Sequence, residues 1–125
     1  MILDTSAVSD LLARDRNLAR LLRHANRHHL PSMILGEYRF GLDRSRARDR
    51  IEPLLERLEK ESEILSVGPD TARAYARIRN ALRSAGTPIP ENDIWIAALA
   101  LEHGLAVASR DTHFDRIAGL KRASW

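Results

Sequence analysis

The chain opens with an unbroken run of hydrophobic residues that stops at an acid. Residues 1–3 are apolar, and Asp4 follows them directly. A strand with no polar residue before its end is covered on both faces, which is typical of the centre of a parallel sheet. We therefore predict a buried first strand with the Asp4 carboxylate at its carboxyl end, and we expect Thr5 and Ser6 to cap the helix that follows.

The remaining hydrophobic residues alternate between helical spacing and short continuous runs. The continuous runs predict three further strands, at residues 29–31, 64–67 and 105–109. Helical spacing predicts helices over residues 7–13, 17–23, 33–42, 54–58, 70–85 and 91–103. Strands that alternate with helices indicate an α/β domain with a parallel central sheet.

Two residues mark expected helix boundaries. Ser32 lies just before the third predicted helix, where a hydroxyl group can accept hydrogen bonds from the free amides of the first turn. Pro53 has no amide hydrogen, so we expect it to break the helical pattern or to lie in a first turn near Glu52.

Length and composition fit one globular domain, which we assign to residues 1–125. Of these 125 residues, 44% are hydrophobic and 30% are charged, enough to bury a core. The absence of cysteine excludes disulfides and thiolate metal sites. No apolar stretch approaches the roughly 20 residues of a membrane span, and the amino terminus lacks a secretory signal pattern. We expect a soluble, cytoplasmic protein that does not associate with membranes.

Arginine dominates the basic residues. It supplies 18 of the 20, and the net charge is +3. Because the guanidinium group binds phosphate with paired hydrogen bonds, nucleic acid is the first partner to consider. The alternative is a solvated surface on which these arginines pair with the 17 acidic residues.

Three further acids occupy positions that match the position of Asp4. Asp111 follows the predicted strand at 105–109, as Asp4 follows the first strand. Glu37 lies in the apolar stripe of the third predicted helix, and Asp93 lies on the inward side of the first turn of the last helix. Each acid taken alone also fits a structural role, as a cap, a turn residue or a side chain that extends to solvent.

Together the four acids predict a metal site. In an open parallel sheet, functional groups gather beyond the carboxyl ends of strands, at the point where the strand order reverses. Carboxylates that meet there repel one another unless a cation neutralises them, and oxygen ligands without Cys or His favour Mg2+ or Mn2+. In the metal-free protein, we expect that replacing Asp4 or Asp93 by asparagine relieves this repulsion and raises the melting temperature.

The motifs around these acids resemble those of the PIN domain, and within it the VapC toxins of bacterial and archaeal toxin-antitoxin pairs. The motifs lie at residues 4–6, 34–37, 92–98 and 109–114. The resemblance spans essentially the whole chain. It implies a three-layer α/β/α sandwich around a parallel sheet and a divalent-metal-dependent endoribonuclease that acts as a toxin. It also implies a homodimer and inhibition by a cognate, VapB-like antitoxin.

The resemblance further implies roles for single residues. The catalytic acids are Asp4, Glu37, Asp93 and Asp111. Asp4, Asp93 and Asp111 are the expected metal ligands, and Ser6 is a supporting polar residue. Asp115, one helical turn after Asp111, is a candidate to assist it or to replace it.

A metal-activated water would attack the phosphodiester, and arginines would hold the RNA backbone. Arg39 and Arg110 are the candidates, together with parts of the basic run at 44–50.

Two other classes of function remain open. A non-catalytic nucleic-acid-binding or protein-binding domain would use the acids structurally, without cleavage or metal dependence. A phosphotransfer enzyme or receiver domain would also carry an aspartate after a strand. However, Ser6 stands where a dehalogenase-like phosphatase has its second aspartate, and no lysine follows the later predicted strands as in a receiver.

Overall fold

Five short strands form a single parallel sheet in a computed structural model that describes residues 1–125. The strands are β1 (Ile2–Leu3), β2 (His29–Pro31), β3 (Glu63–Leu65), β4 (Val107–Ala108) and β5 (Arg122–Ala123). Their order across the sheet is β3-β2-β1-β4-β5. The first four strands match predicted apolar runs, whereas β5 was not predicted because it contains no such run.

Helices cover both faces of the sheet. They are α1 (Thr5–Leu12), α2 (Arg16–Leu22), α3 (Ser32–Leu42), α4 (Arg48–Glu61), α5 (Pro69–Ser84), α6 (Glu91–His103) and a 3-10 helix, Thr112–Arg116. Crossovers between parallel strands are right-handed, so α1 to α4 lie on one face and α5 and α6 on the other. Accordingly α1 packs against α2 and α4, α3 packs against α4, and α5 packs against α6. The predicted three-layer α/β/α architecture is confirmed.

Strand β1 lies at the centre of the sheet, as its apolar run predicts. Ile2 and Leu3 are fully buried, and the strand pairs with β2 on one side and β4 on the other. Leu3 is in register with Ala108, so the next residues, Asp4 and Ser109, leave the sheet side by side. The strand order reverses between β1 and β4, which is where open α/β sheets bind their ligands.

Helix α6 is buried because it is apolar nearly all round. Residues 94 and 96–100 are buried, and Trp95 stacks on Tyr75 of α5 with 3.9 Å between the ring centroids. Gly104 ends the helix in the left-handed conformation, with a φ of 63°, as its position predicts. None of the helices combines the length and the hydrophobicity that a membrane span requires.

The cap of α1 differs from the prediction. Asp4, rather than Thr5 or Ser6, is the N-cap residue, and its side chain accepts a hydrogen bond from the backbone N–H of Ala7 at 2.8 Å. The helix begins one residue earlier than a Thr5 cap would allow because the strand ends directly at Asp4. Asp4 therefore directly follows β1 and caps α1 with its carboxylate.

Two other predicted helix boundaries are wrong. Ser32 is the first residue of α3, and Pro31 takes the N-cap position without a side-chain hydrogen bond. Pro53 lies inside α4 instead of breaking it. An interior proline costs about 3 kcal/mol. Leu55 and Leu58 are buried beyond it, and burying a leucine side chain gains about 1.5 to 3 kcal/mol, so together they outweigh that cost.

Candidate active site

Asp4 is a buried carboxylate that three hydrogen bonds hold in place. The residue is only 6% exposed. Oδ1 accepts hydrogen bonds from the Ser6 hydroxyl at 2.7 Å and from the backbone N–H of Ala7 at 2.8 Å, and Oδ2 accepts one from the Ser109 hydroxyl. A buried charge needs such partners. The Ser6 hydroxyl thus contacts Asp4 directly, and its role as a supporting residue of the site stays a prediction.

Ser109 links the two acids that follow β1 and β4. Its buried hydroxyl donates to Asp4 and accepts from the backbone N–H of Asp111 at 2.9 Å. Asp111 then caps the 3-10 helix, since its Oδ1 accepts from the backbone N–H of His113 at 2.9 Å. The prediction that Asp4 and Asp111 follow neighbouring strands is confirmed.

Asp93 and His113 complete the central cluster. Asp93 lies in the first turn of α6, and its side chain is 19% exposed, in agreement with its predicted inward side. Nδ1 of His113 lies 3.3 Å from Oδ2 of Asp93 and 3.0 Å from Oδ1 of Asp111. One ligand atom from each of the three residues lies within 4.8 Å of the other two.

The pKa of Asp93 is raised above its ordinary value. Burial is the largest cause, because it disfavours the charged form, and the negative charges of Asp111 and Asp4 add to the effect. The hydrogen bond and the charge of His113 act in the opposite direction. The negative charges of Asp4 and Asp111 thus disfavour a further negative charge at Asp93.

Glu37 lies at the exposed edge of α3, not in its buried stripe. The buried stripe runs through Ile34, Leu35 and Leu42 and leaves position 37 beside it. The structure therefore agrees with the alternative that the Glu37 side chain extends to solvent, and not with a position inside the buried stripe.

Two hydrogen bonds nevertheless connect Glu37 to the other acids. Its Oε1 accepts from the side-chain amide of Asn92 at 2.8 Å, and its Oε2 accepts from the Thr5 hydroxyl at 3.2 Å. Asn92 directly precedes Asp93, and Thr5 directly follows Asp4. Glu37 is thus held at the rim of the cluster, through the chain neighbours of two central acids.

Asp115 lies outside the cluster. Its two carboxylate oxygens accept hydrogen bonds from Arg122, at 2.8 Å from Nε and 2.9 Å from Nη2. This pairing lowers the pKa of Asp115. The prediction relied on α-helical spacing, but a 3-10 helix has about three residues per turn. The residue one turn after Asp111 is consequently Phe114, which is fully buried.

Both arginines that we predicted to hold RNA have partners within the protein. Arg39 donates to Glu59 at 2.5 Å. Arg110 lies 3.0 Å from Asp10 and sits over the Trp125 ring, 5.2 Å from its centroid. These contacts compete with phosphate for the same guanidinium groups.

The donor set at the cluster fits a divalent cation. Asp93 and Asp111 offer carboxylate oxygens, and His113 lies beside them with an imidazole nitrogen that the predicted oxygen-only set did not include. Asp4, predicted as a direct ligand, is not one of these three, and both of its oxygens already accept hydrogen bonds within the protein. The fit of these three residues supports a metal centre at the carboxyl edge of the sheet.

Four polar residues of the site were not among the predicted site residues. They are Thr5, Asn92, Ser109 and His113. Each lies within two residues of a predicted acid in the sequence. That proximity is the signal that would have identified them, because the residues that flank a strand end or begin a helix share its environment.

Known proteins match this chain over nearly its whole length. It matches the family model described as the PIN domain over residues 1–120. It is 32% identical over 130 residues to "VapC ribonuclease Y4jK" of Sinorhizobium fredii, covering 96% of this chain and 93% of that protein. It is 29% identical over 127 residues to "Ribonuclease VapC2" of Haemophilus influenzae, with 99% and 96% covered.

Solved structures agree with these matches. DNA-bound VapBC from Salmonella typhimurium contains a chain that is 26% identical, with a TM-score of 0.87 and 99% of this chain and 96% of that chain covered. FitAcB from Neisseria gonorrhoeae contains one that is 29% identical, with a TM-score of 0.80 and 97% and 94% covered.

Proposed function

Since this chain belongs to the PIN-domain family, we propose that it is a divalent-metal-dependent endoribonuclease that acts as the toxin of a toxin-antitoxin pair. Relatives at 32% and 29% identity, matched over nearly their whole length, are named as ribonucleases. These names support RNA as the substrate and hydrolysis of its phosphodiester bonds as the reaction.

One observation carries the catalytic part of this proposal. The Ser109 hydroxyl joins Asp4 to the backbone of Asp111, and His113 lies between Asp111 and Asp93. Asp4 follows β1, Asp111 follows β4 and Asp93 lies in the first turn of α6. These elements are distant in the chain, but their three carboxylates lie together at one edge of the sheet. Acids that served only as helix caps would not require this convergence.

The residues of the cluster would have different roles in hydrolysis. Asp93, Asp111 and His113 would hold the cation, which when bound lowers the pKa of water and stabilises charge on a phosphate. Asp4 adds negative charge and fixes Ser109, which in turn positions Asp111. Glu37, exposed at the rim, would accept a proton from the attacking water.

Hydrolysis by this route has a defined product. The water oxygen forms a bond to phosphorus while the bond between phosphorus and the 3′ oxygen breaks. The proton that Glu37 accepts returns to solvent, and the leaving 3′ oxygen takes up a proton from solvent water to become a hydroxyl group. We therefore expect products with a 5′-phosphate and a 3′-hydroxyl, without a cyclic phosphate.

The proposed partners follow from the relatives and from the charge of the site. A relative of known structure is a DNA-bound VapBC assembly, which supports a VapB-like antitoxin as the cognate partner of this chain. An arginine of such a partner would enter the acidic cluster and satisfy its carboxylates in place of a cation. We further propose a homodimer that acts in the cytoplasm, where both RNA and the antitoxin are available.

Cleavage of a labelled single-stranded RNA by antitoxin-free protein tests this function. We expect cleavage with Mg2+ or Mn2+ and none with EDTA. Asp93→Asn should lower the rate by about 100-fold or more, because loss of even an outer partner of a metal ligand costs roughly 10-fold to 100-fold. Asp115→Asn is the matched control, because it removes a nearby acid that is paired with Arg122.

The outcomes separate the two main functions. Cleavage that persists both in EDTA and in Asp93→Asn would contradict the metal-dependent mechanism. A protein that binds its antitoxin but cleaves no RNA with either cation would instead be a non-catalytic binding domain.

A further inference from the structure

We propose that Nδ1 of His113 is a direct ligand of the cation held by Asp93 and Asp111, so that the site prefers first-row transition-metal dications to Mg2+. The inference rests on the proposed function, because it names the metal preference of the same site. It changes the expected chemistry, since the acids alone would favour Mg2+ or Mn2+.

The separations between Nδ1 of His113 and one oxygen of each acid fit neighbouring positions around one cation. Nδ1 of His113 lies 3.0 Å from Oδ1 of Asp111 and 3.3 Å from Oδ2 of Asp93. Neighbouring ligands of an octahedral ion with bonds of about 2.1 Å are separated by about 3.0 Å. Both separations from His113 are therefore close to that value, and the three donor atoms lie within 4.8 Å of one another.

The position of His113 is fixed by its chain neighbours rather than by a cation. Its backbone N–H donates to Asp111 at 2.9 Å, and the next residue, Phe114, is fully buried. The His113 side chain itself is 35% exposed. The imidazole is thus anchored at its backbone and accessible to an ion from solvent.

A nitrogen ligand changes which cations the site binds. Affinity for nitrogen-containing sites rises from Mn2+ through Fe2+ and Co2+ to Ni2+, whereas Mg2+ prefers oxygen ligands. To act as a ligand, His113 must carry its proton on Nε2 and leave Nδ1 free. The alternative is that Nδ1 carries the proton and donates hydrogen bonds to the carboxylates. In that case His113 only positions the two acids.

Calorimetric titrations with Mg2+ and with Co2+ distinguish these two roles. The unsubstituted protein, His113→Asn and His103→Asn are compared without antitoxin or a histidine tag, after EDTA treatment. Asparagine places an oxygen donor where His113 has Nδ1, so the site keeps a hard ligand. His103 is the control, because it is another exposed histidine beside a carboxylate, 3.7 Å from Glu102.

We expect His113→Asn to weaken Co2+ binding by about tenfold or more while Mg2+ binding changes by less than about threefold. The visible absorption spectrum of bound Co2+ should also shift, because one nitrogen ligand is replaced by oxygen. His103→Asn should change neither the affinities nor the spectrum.

Two results would overturn the proposal. Equal weakening of Co2+ and Mg2+ would make His113 a positioning residue, and unchanged Co2+ binding would exclude it from the site. Both results leave the ribonuclease function intact. Failure of the proposed metal-dependent function is recognised differently, by an unsubstituted protein that binds neither cation and cleaves RNA in EDTA.

Discussion

The Ser109 hydroxyl donates a hydrogen bond to the carboxylate of Asp4, 105 positions earlier in the chain. Both groups are buried, and the same carboxylate caps α1 through the backbone N–H of Ala7. The expectation that neutralising Asp4 stabilises the metal-free protein considered only the repulsion between acids. The structure adds an opposing contribution at Asp4, because its carboxylate also accepts hydrogen bonds from Ser6, Ala7 and Ser109.

Asp4→Ala is expected to destabilise the metal-free protein by about 2 to 4 kcal/mol. A lost N-cap costs roughly 0.5 to 2 kcal/mol, and a buried hydroxyl that loses its acceptor, here that of Ser109, costs roughly 1 to 3 kcal/mol. Urea unfolding in EDTA measures the difference. Asp15→Ala is the control, because Asp15 caps α2 through two backbone N–H groups and otherwise makes only a partly exposed contact of 3.6 Å with Arg110, so no buried hydroxyl loses its acceptor. A higher melting temperature for Asp4→Ala would show that repulsion dominates at this position.

Asp93→Asn is expected to stabilise the metal-free protein at neutral pH. Because burial raises the pKa of Asp93, the folded state binds this proton more tightly than the unfolded chain. Ionisation therefore lowers stability as the pH rises from the unfolded value of 3.8 through the raised folded value. Asparagine does not ionise, so the advantage of the variant should grow over this interval and stay constant above it.

Free energies of unfolding at pH values from about 4 to 8 test this pH dependence of Asp93→Asn. Asp115→Asn provides a control of opposite sign, since its pairing with Arg122 lowers the pKa of Asp115. The stability contributed by that pairing is present above the unfolded pKa and is lost as the pH falls through the lowered folded value. A stability advantage of Asp93→Asn that is absent at pH 7, or that shrinks as the pH rises, would contradict the raised pKa.

Arg44 and Arg46 are expected to contribute more to RNA binding than Arg39. Arg44 lies over the exposed ring of Phe40, and neither Arg44 nor Arg46 forms an ion pair, whereas Arg39 pairs with Glu59. Each phosphate contact on a single strand contributes about 0.7 to the slope of log affinity against log salt, so Arg44→Gln combined with Arg46→Gln should reduce that slope by about 1.4.

Fluorescence anisotropy of a labelled RNA, measured in EDTA at several salt concentrations, gives these slopes. Arg39→Gln is the matched control, and its slope should equal that of the unsubstituted protein. If Arg39→Gln reduces the slope and the double variant does not, the RNA follows the surface around Arg39 instead.

The parts of the site that local sequence patterns determine were predictable. An apolar run that ends at an acid places Asp4 at the end of a central strand, and a second such run places Asp111 beside it. The all-apolar character of α6 likewise placed Asp93 on a partly buried first turn. In each case one short stretch of sequence determines where the acid lies in the fold.

The remaining features depend on how separate elements pack against each other. The partner of Arg39 comes from another helix, and the pairing of Asp115 with Arg122 depends on a 3-10 turn and on a strand without an apolar pattern. His113 joins the acids only because α6 and the 3-10 helix meet. The spacing of apolar residues within a short stretch of sequence predicts none of these contacts, since each depends on how two elements pack against each other.

The central position of β1 has a consequence for the timing of activity during protein synthesis. Strand β1 is synthesised before β4. The hydrogen bond between Ser109 and Asp4 can therefore form only after β4 has been synthesised. Pairing between such distant segments is a late event in folding. A nascent chain that has reached only the end of α6 lacks Ser109, Asp111 and His113. The proposed site can therefore assemble only after translation has passed β4 and the 3-10 helix.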